Sequence, residues 1–309
     1  MTVAPSAVLY IAGTGRSGST LLARLLGAYR GFLPVGELRY LWDRGLAENH
    51  LCGCRVPFRS CPFWSEVLTR AFGGVSEAER LDVPRLAKAV DRIRHVPELT
   101  VAGLRTPGFR RAFADYADVL GRLYASILEV APGSVVVDSS KDPSYAFVLD
   151  AVAGVDASFV HLVRDSRAVA HSWTRRRPRP EIHWTTEHMH QRPAVRSGYK
   201  WNQHQLLVEV LRLTRPRFAL LRYEDLVDDA EASVARLAAL ASGSQPPALL
   251  EAGEAPFLHN ISGNPIRFDG PAPVLADDEW RQALGRRDRR AVTLVTAPLL
   301  LRYGYLRPR

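Results

Sequence analysis

The sequence predicts an α/β fold, a three-layer sandwich with a central parallel sheet. Three observations carry this expectation. An apolar, β-prone run from Val8 breaks at a loop holding Gly13, Gly15 and Gly18, then becomes a helical pattern with Leu21, Leu22, Leu25 and Leu26. Strand-like runs recur at Ser134–Asp138, Ser158–Val163 and Phe218–Arg222, separated by stretches of helical spacing, which implies right-handed crossovers and a sheet covered on both faces. Finally, Arg16, Lys141 and Arg164 each follow one of these runs. Ligands of such sheets sit beyond the carboxyl ends of the strands.

In chain order, Phe32–Leu38 reads as a loop leading into a helix with Tyr40, Leu41 and Trp42. The segment Asn49–Trp64, rich in Cys, Pro and Arg, reads as an irregular excursion over the surface. Residues 83–94 and 110–130 show apolar spacing of three and four, as in Phe113, Tyr116, Val119, Leu120 and Leu123, and are expected helices. Helices are expected after Pro143 and from Asp165 through Ser172. Residues 175–193, dense in Arg, Pro and His around Trp184, read as a long loop of the kind used for lids and binding. A helix over 199–213 is expected to bury Trp201, Leu206, Leu207, Val210 and Leu213.

A chain of 309 residues can bury a large core, and its 47% hydrophobic and 24% charged content is that of a globular protein. No apolar run reaches the length of a membrane span, and the N-terminus lacks a basic-then-apolar signal layout, so the expected compartment is cytoplasmic. The net charge of +9 points to an anionic partner, but only Lys88, Lys141 and Lys200 among the 41 basic residues are lysines, which equally reflects compositional bias towards arginine. The charge is scattered and no nucleic-acid module is present. Cys52, Cys54 and Cys61 form an odd cluster. With His50 nearby a zinc site is conceivable, but the single residue between the first two departs from the usual knuckle spacing, and buried reduced thiols with no bound metal are expected.

The first loop has the architecture of a phosphate cradle, since unpaired N–H groups at a helix start and its positive dipole end favour an anion. Measured against the P-loop pattern, Gly13, Gly18 and Thr20 fit, but Ser19 stands where the lysine belongs. A kinase needs that lysine at the terminal phosphates. Gly15-Arg16-Ser17-Gly18-Ser19-Thr20-Leu21-Leu22 resembles the 5′-phosphosulfate loop of sulfotransferases that use 3′-phosphoadenosine 5′-phosphosulfate (PAPS). Arg164-Asp165, with Ser172 eight residues after the arginine, resembles the same family's 3′-phosphate motif. Gly36-Glu37 is similar to a Gly-Glu of carbohydrate and tyrosylprotein sulfotransferases, although Leu38 stands where that family often has a second glutamate. Lys141-Asp142-Pro143 is similar to a Lys-Asp-Pro of the tyrosylprotein enzymes, and His259–Phe268 looks like the late loop over the adenosine diphosphate end of the donor.

The resemblance implies one sulfotransferase domain over 1–309, with a P-loop-like donor core at about 7–30, 134–175 and 217–270 and acceptor-side elaborations at about 37–130 and 175–215. It implies that Gly15, Arg16, Ser17, Gly18, Ser19 and Thr20 hold the 5′-phosphosulfate, and that Arg164, Ser172 and Arg267 read the 3′-phosphate. Glu37 takes the proton of an acceptor hydroxyl on a small molecule, carbohydrate or natural product, Lys141 steadies the leaving oxygen, and Arg16 serves both binding and catalysis. The product is adenosine 3′,5′-bisphosphate, and no metal is implied, because a sulfuryl group carries less charge than a phosphoryl group. Plainer readings stand beside these: Glu37 as a solvated or capping residue, Lys141 paired with Asp142, and Arg164 and Ser172 as surface residues. Tyr223-Glu224-Asp225 reads as structural, with Glu224 or Asp225 capping the next helix, and Trp201 and His204 as packed helix residues. The rival functions are a P-loop kinase and a basic module binding nucleic acid or anionic lipid through Arg175-Arg176-Arg177-Pro178-Arg179.

Overall fold

A computed structural model describes residues 5–131, 133, 135–243, 245–251, 254, 256–269 and 274–306, with the side chain of residue 214 left aside. Five parallel strands, β1 (Ser6–Gly13), β2 (Phe32–Gly36), β3 (Val135–Lys141), β4 (Val155–Val163) and β5 (Phe218–Arg222), lie in the order β2-β3-β1-β4-β5. Strand alternation splits the core into two layers. Leu9 and Ile11 of β1, Val137 of β3 and Val160 of β4 face the helices Ser19–Leu26 and Ala230–Ser242. Val8 and Tyr10, Val136 and Phe159 face the other way, onto Pro107–Val130 and Pro143–Asp150. Each fully buried aliphatic or aromatic side chain contributes about 1.5–3 kcal/mol of burial, so both layers are firmly anchored to the sheet.

Three expectations are corrected here. Phe32–Gly36 is not a loop but an edge strand, and Pro34 is tolerated because one side of an edge strand owes no ladder hydrogen bonds. Asn49–Trp64 is not a surface excursion. Cys52, Phe58, Cys61 and Trp64 are buried in the main core, with Phe58 and Trp64 stacked at 5.6 Å. In the helix Ala194–Thr214 the phase differs from that expected: Trp201, His204, Gln205, Val208 and Leu211 are buried, while Leu206, Val210 and Leu213 are exposed. The buried set follows steps of three and four from Trp201, whose indole N–H donates to the Arg164 carbonyl at 3.0 Å. Of the strand expected over Ser134–Asp138, Ser134 lies outside the described residues, and the strand runs from Val135 past Asp138 to Lys141.

The sheet is irregular where it meets the cleft. Tyr10 pairs with Asp138 and Ala12 with Lys141, so β3 carries one extra residue there; on its other side Pro34 pairs with Val137 and Gly36 with Asp138, so β2 carries one. Such bulges re-aim side chains at strand ends. Gly36 has φ +83°, and a Cβ there would lie 2.2 Å from the Ile261 carbonyl oxygen. Gly36→Ala is therefore expected to destabilise the fold by about 1–3 kcal/mol through left-handed strain and a backbone clash, read as a lowered midpoint in urea with unchanged slope. A midpoint equal to the parent's would show that the late loop does not press on β2.

Candidate active site

The carboxyl ends of β1, β2, β3 and β4 converge on one cleft. After β1, Gly18 begins the helix Ser19–Leu26 in left-handed conformation and Ser17 Oγ donates to the Thr14 carbonyl at 2.7 Å, closing the glycine loop. Arg16 sits at φ 72°, Lys141 at 68° and Ser262 at 56°, three of the six described non-glycine residues with positive φ. Lys141 and Ser262 bond one carboxylate, and Arg16 lines the same cavity. Strained backbone costs about 1–3 kcal/mol per residue and persists where the surroundings over-determine it.

That carboxylate is Glu37, which follows β2 and is buried. Lys141 Nζ donates to its Oε1 at 2.5 Å and to the Ser139 carbonyl at 2.7 Å. Ser262 Oγ donates to Oε2 at 3.3 Å, and Arg44 Nη1 lies 3.5 Å from Oε2 while also bonding Ser262. Burial alone would push the Glu37 carboxyl up, but Lys141 and then Arg44 overcome it and hold the group below its ordinary 4.5. Glu37 is thus not solvated, its side chain makes no capping bond although it stands at the start of Leu38–Tyr40, and Lys141 pairs with it rather than with Asp142. Asp142 instead caps the helix Pro143–Asp150 through the Ser144 N–H at 3.1 Å.

A cavity of about 390 Å³ holds this pair together with Arg16, Ser19 and Thr20. Its walls include Tyr40 and Arg44 from one expected elaboration and Arg192 and Lys200 from the other. Arg16 donates to Met189 Sδ at 2.7 Å and stacks 4.9 Å over Trp173; burial, then Arg177, draws its guanidinium down to about 10, still charged at neutral pH. A second cavity of about 1050 Å³ opens behind the same loop and shares Arg16, Gly18 and Thr20 with the first. Arg164, Ser172 and Arg177 line it. Arg164 is buried, pairs with Asp277 at 3.0 Å and stacks 4.3 Å from the Tyr223 ring. Nε of Arg164 and Nε of Arg177 are buried without a hydrogen-bond partner. Nε of Arg267, which lines the same cavity, is buried without a partner too, and three guanidiniums with orphaned donors in one pocket fit a multiply charged anion.

Arg267 lines the same cavity as Arg164 and Ser172, and its terminal nitrogens are engaged on the cavity wall. Its Nη1 donates to the Asn260 carbonyl at 2.9 Å and its Nη2 to the Leu51 carbonyl at 2.9 Å, tying the late loop to the segment before Cys52. His204 Nδ1 donates to the Gly13 carbonyl from inside the helix at 3.0 Å, as a packed residue does. Neither Glu224 nor Asp225 caps the next helix. Asp229 does, accepting from the Ala232 N–H at 2.9 Å, while Glu224 accepts from the Asp165 N–H and the Tyr305 hydroxyl. Sequence reasoning missed Arg44, Arg177 and Asp277. Arg44 lies seven residues beyond Glu37 on a wide helical turn, Leu41–Ala47, whose phase no regular spacing predicts, and Arg177 was hidden in a run of like charges. That run is no free basic patch, since Arg175 pairs with Glu279 at 2.5 Å and Arg179 with Glu181 at 2.9 Å.

A profile described as "Sulfotransferase family" matches residues 9–242. The chain belongs to the sulfotransferase family. The match spans the glycine loop, the Glu37–Lys141 pair and Arg164 with Ser172, and membership supports sulfuryl transfer as the reaction class. Among solved structures, the sulfotransferase domain of the Synechococcus PCC 7002 olefin synthase superposes with a TM-score of 0.55 at 22% identity, covering 99% of this chain and 98% of that one. Sulfotransferase STF1 of Mycobacterium tuberculosis H37Rv gives 0.43 at 16% identity, covering 96% and 78%. The first shows that the fold is shared. No curated protein matches the sequence. No described helix of this family member is long and apolar enough to cross a membrane.

Proposed function

We propose that this family member transfers a sulfuryl group from PAPS to the hydroxyl of a small-molecule, carbohydrate or natural-product acceptor, on one domain spanning 1–309. The observation that carries the reading is the meeting of two cavities at the glycine loop: one holds the Glu37–Lys141 pair, the other Arg164, Ser172 and Arg177. The donor takes the larger cavity, with its 3′-phosphate against Arg164 and Arg177 and displacing the Asp277 carboxylate. Its 5′-phosphosulfate lies along the N–H groups of Gly15–Thr20 and Arg16. The acceptor enters the smaller cavity.

The acceptor hydroxyl gives its proton to Glu37 as its oxygen bonds to sulfur, and the S–O bond to the 5′-phosphate breaks in line. Lys141 leaves Glu37 to meet the charge growing on the departing bridging oxygen, and adenosine 3′,5′-bisphosphate is released. Arg267 adds a contact to the 3′-phosphate through its unpartnered Nε, while its other donors hold the late loop that brings Ser262 to Glu37. Ser19 at the lysine position speaks against a kinase.

The test is a thermal-shift titration. Adenosine 3′,5′-bisphosphate at about 100 times its dissociation constant should stabilise the protein by about 2.7 kcal/mol, while ATP at the same concentration does much less. Arg164→Ala should weaken that binding by about 10–100-fold, the worth of a charge-assisted bidentate contact. No shift with adenosine 3′,5′-bisphosphate, or an equal one with ATP, sinks the reading.

A further inference from the structure

The three cysteines come together with a histidine that the sequence places about two hundred residues away. Cys52, Cys54, Cys61 and His259 present three sulfurs and an imidazole nitrogen that all lie within 4.8 Å of one another. Cys54 Sγ is 3.7 Å from Cys61 Sγ, and Cys61 Sγ is 3.2 Å from His259 Nδ1. The cysteines are unbridged. Tetrahedral zinc with Zn–S of about 2.3 Å and Zn–N of about 2.0 Å separates its sulfurs by roughly 3.8 Å and sulfur from nitrogen by roughly 3.5 Å. The observed spacings match that polyhedron to within a few tenths of an ångström at both measured edges. A disulfide would need the two sulfurs at about 2.05 Å.

The surroundings are those of a thiolate cage. Cys61 begins the helix Pro62–Phe72, whose positive end favours an anion. The unusual spacing of one residue between Cys52 and Cys54 is accounted for by a tight turn, in which Arg55 N–H donates to the Cys52 carbonyl and Cys52 N–H to the Val56 carbonyl. Gly53 lies against the late-loop segment bearing the histidine: its N–H bonds the Asn260 carbonyl at 2.9 Å, and a Cβ on it would sit 2.2 Å from the Leu258 carbonyl oxygen. Phe63 stacks on the His259 ring at 5.0 Å and Phe257 packs edge-on at 5.4 Å, fixing its plane. Cys52 and Cys61 are buried.

We propose that Cys52, Cys54, Cys61 and His259 bind one zinc ion as a structural site, contrary to the reduced-thiol expectation from sequence. Loading displaces three thiol protons to solvent and leaves a closed four-ligand shell with no open position for chemistry. The metal staples the 52–61 segment to the late loop. The same loop carries Ile261, whose carbonyl accepts from the Glu37 N–H at 2.7 Å, and Ser262 on the Glu37 carboxylate. The site therefore positions the catalytic carboxylate at a distance and takes no part in the reaction.

Protein purified under reducing conditions without chelator should contain about one zinc per chain by elemental analysis. Cobalt substitution should give the charge-transfer and d–d absorption of a tetrahedral thiolate site. His259→Ala should lose most of the metal and lower the melting temperature. His259→Cys should keep the metal, and His50→Ala should keep it too, because His50 is outside the four. A strong zinc chelator should lower the parent's melting temperature and leave that of His259→Ala unmoved. Zinc below about a tenth of an equivalent together with no cobalt bands overturns the proposal. So does metal that survives His259→Ala and Cys61→Ser while being lost in His50→Ala. If Cys61→Ser does not fold, the parent's zinc content, the cobalt spectrum and the soluble His259 variants decide. Every readout is independent of donor identity, so failure here leaves the sulfotransferase reading standing, and the reverse.

Discussion

Glu37→Gln is expected to lower kcat by about 10²–10⁴-fold while leaving the affinity for adenosine 3′,5′-bisphosphate unchanged. Glutamine keeps the size and one acceptor oxygen, so Lys141 and Ser262 retain a partner and the cleft keeps its shape. What is lost is the capacity to take a proton. Because Lys141 and Arg44 hold the Glu37 carboxyl below 4.5, it is a carboxylate throughout the neutral range and ready to accept. The same depression sets a stability window. The pKa is lower in the folded than in the unfolded chain, so the stabilisation is fully present above about pH 4.5 and is lost as the pH falls through the lower folded value. In the parent, kcat/KM should accordingly show no loss from this group between pH 7 and 5. The variant is checked by single-turnover sulfuryl transfer alongside a thermal-shift titration with the bisphosphate. Full activity in Glu37→Gln would remove Glu37 as the base.

The sheet and its ligand-bearing end were legible because their signals are local. A β-prone run, a glycine loop and a leucine pattern adjoin at Val8–Leu26, and Arg164-Asp165 announces a strand end and a helix cap within two residues. β2 was not legible, because Pro34 is a strand breaker everywhere except at an edge, and a sequence does not say which strand is outermost. The helix Ala194–Thr214 was found, but its apolar residues are so spread around it that spacing could not choose the face; burial was decided by its neighbours, the main core for Val208 and Leu211, β1 and β4 for His204 and Gln205, and the helix Arg286–Arg302 for Trp201, Gly198 and Asn202. Glu37, Lys141 and Arg164 could be named one at a time, but not their partners. The Glu37–Lys141 pair joins residues 104 apart, Ser262 and Asp277 arrive from the late loop and beyond it, and His259 reaches the cysteines across 198 positions. Contacts of that separation leave no periodic trace.

Lys141→Met should cost about 10²–10³-fold in kcat, comparable to losing one donor aimed at a developing oxyanion. It should also change the pH profile, which a purely structural lysine would not do. Methionine fills most of the same volume but removes the charge that contributes most to depressing the Glu37 carboxyl. Burial, which pushes that carboxyl upward, is then opposed chiefly by Arg44 at 3.5 Å, so the acidic limb of kcat/KM should move to higher pH. Two losses act together: an unassisted leaving oxygen, and a base whose protonation edge has risen. Since Lys141 serves both ends of one proton and sulfuryl transfer, the Glu37→Gln/Lys141→Met double variant should be little worse than the poorer single one. Multiplicative losses, or an acidic limb that stays in place in Lys141→Met, would mean that the 2.5 Å contact is an ion pair holding β2 to β3 and that the leaving oxygen is met by another cation, of which Arg16 is the nearest candidate on the loop.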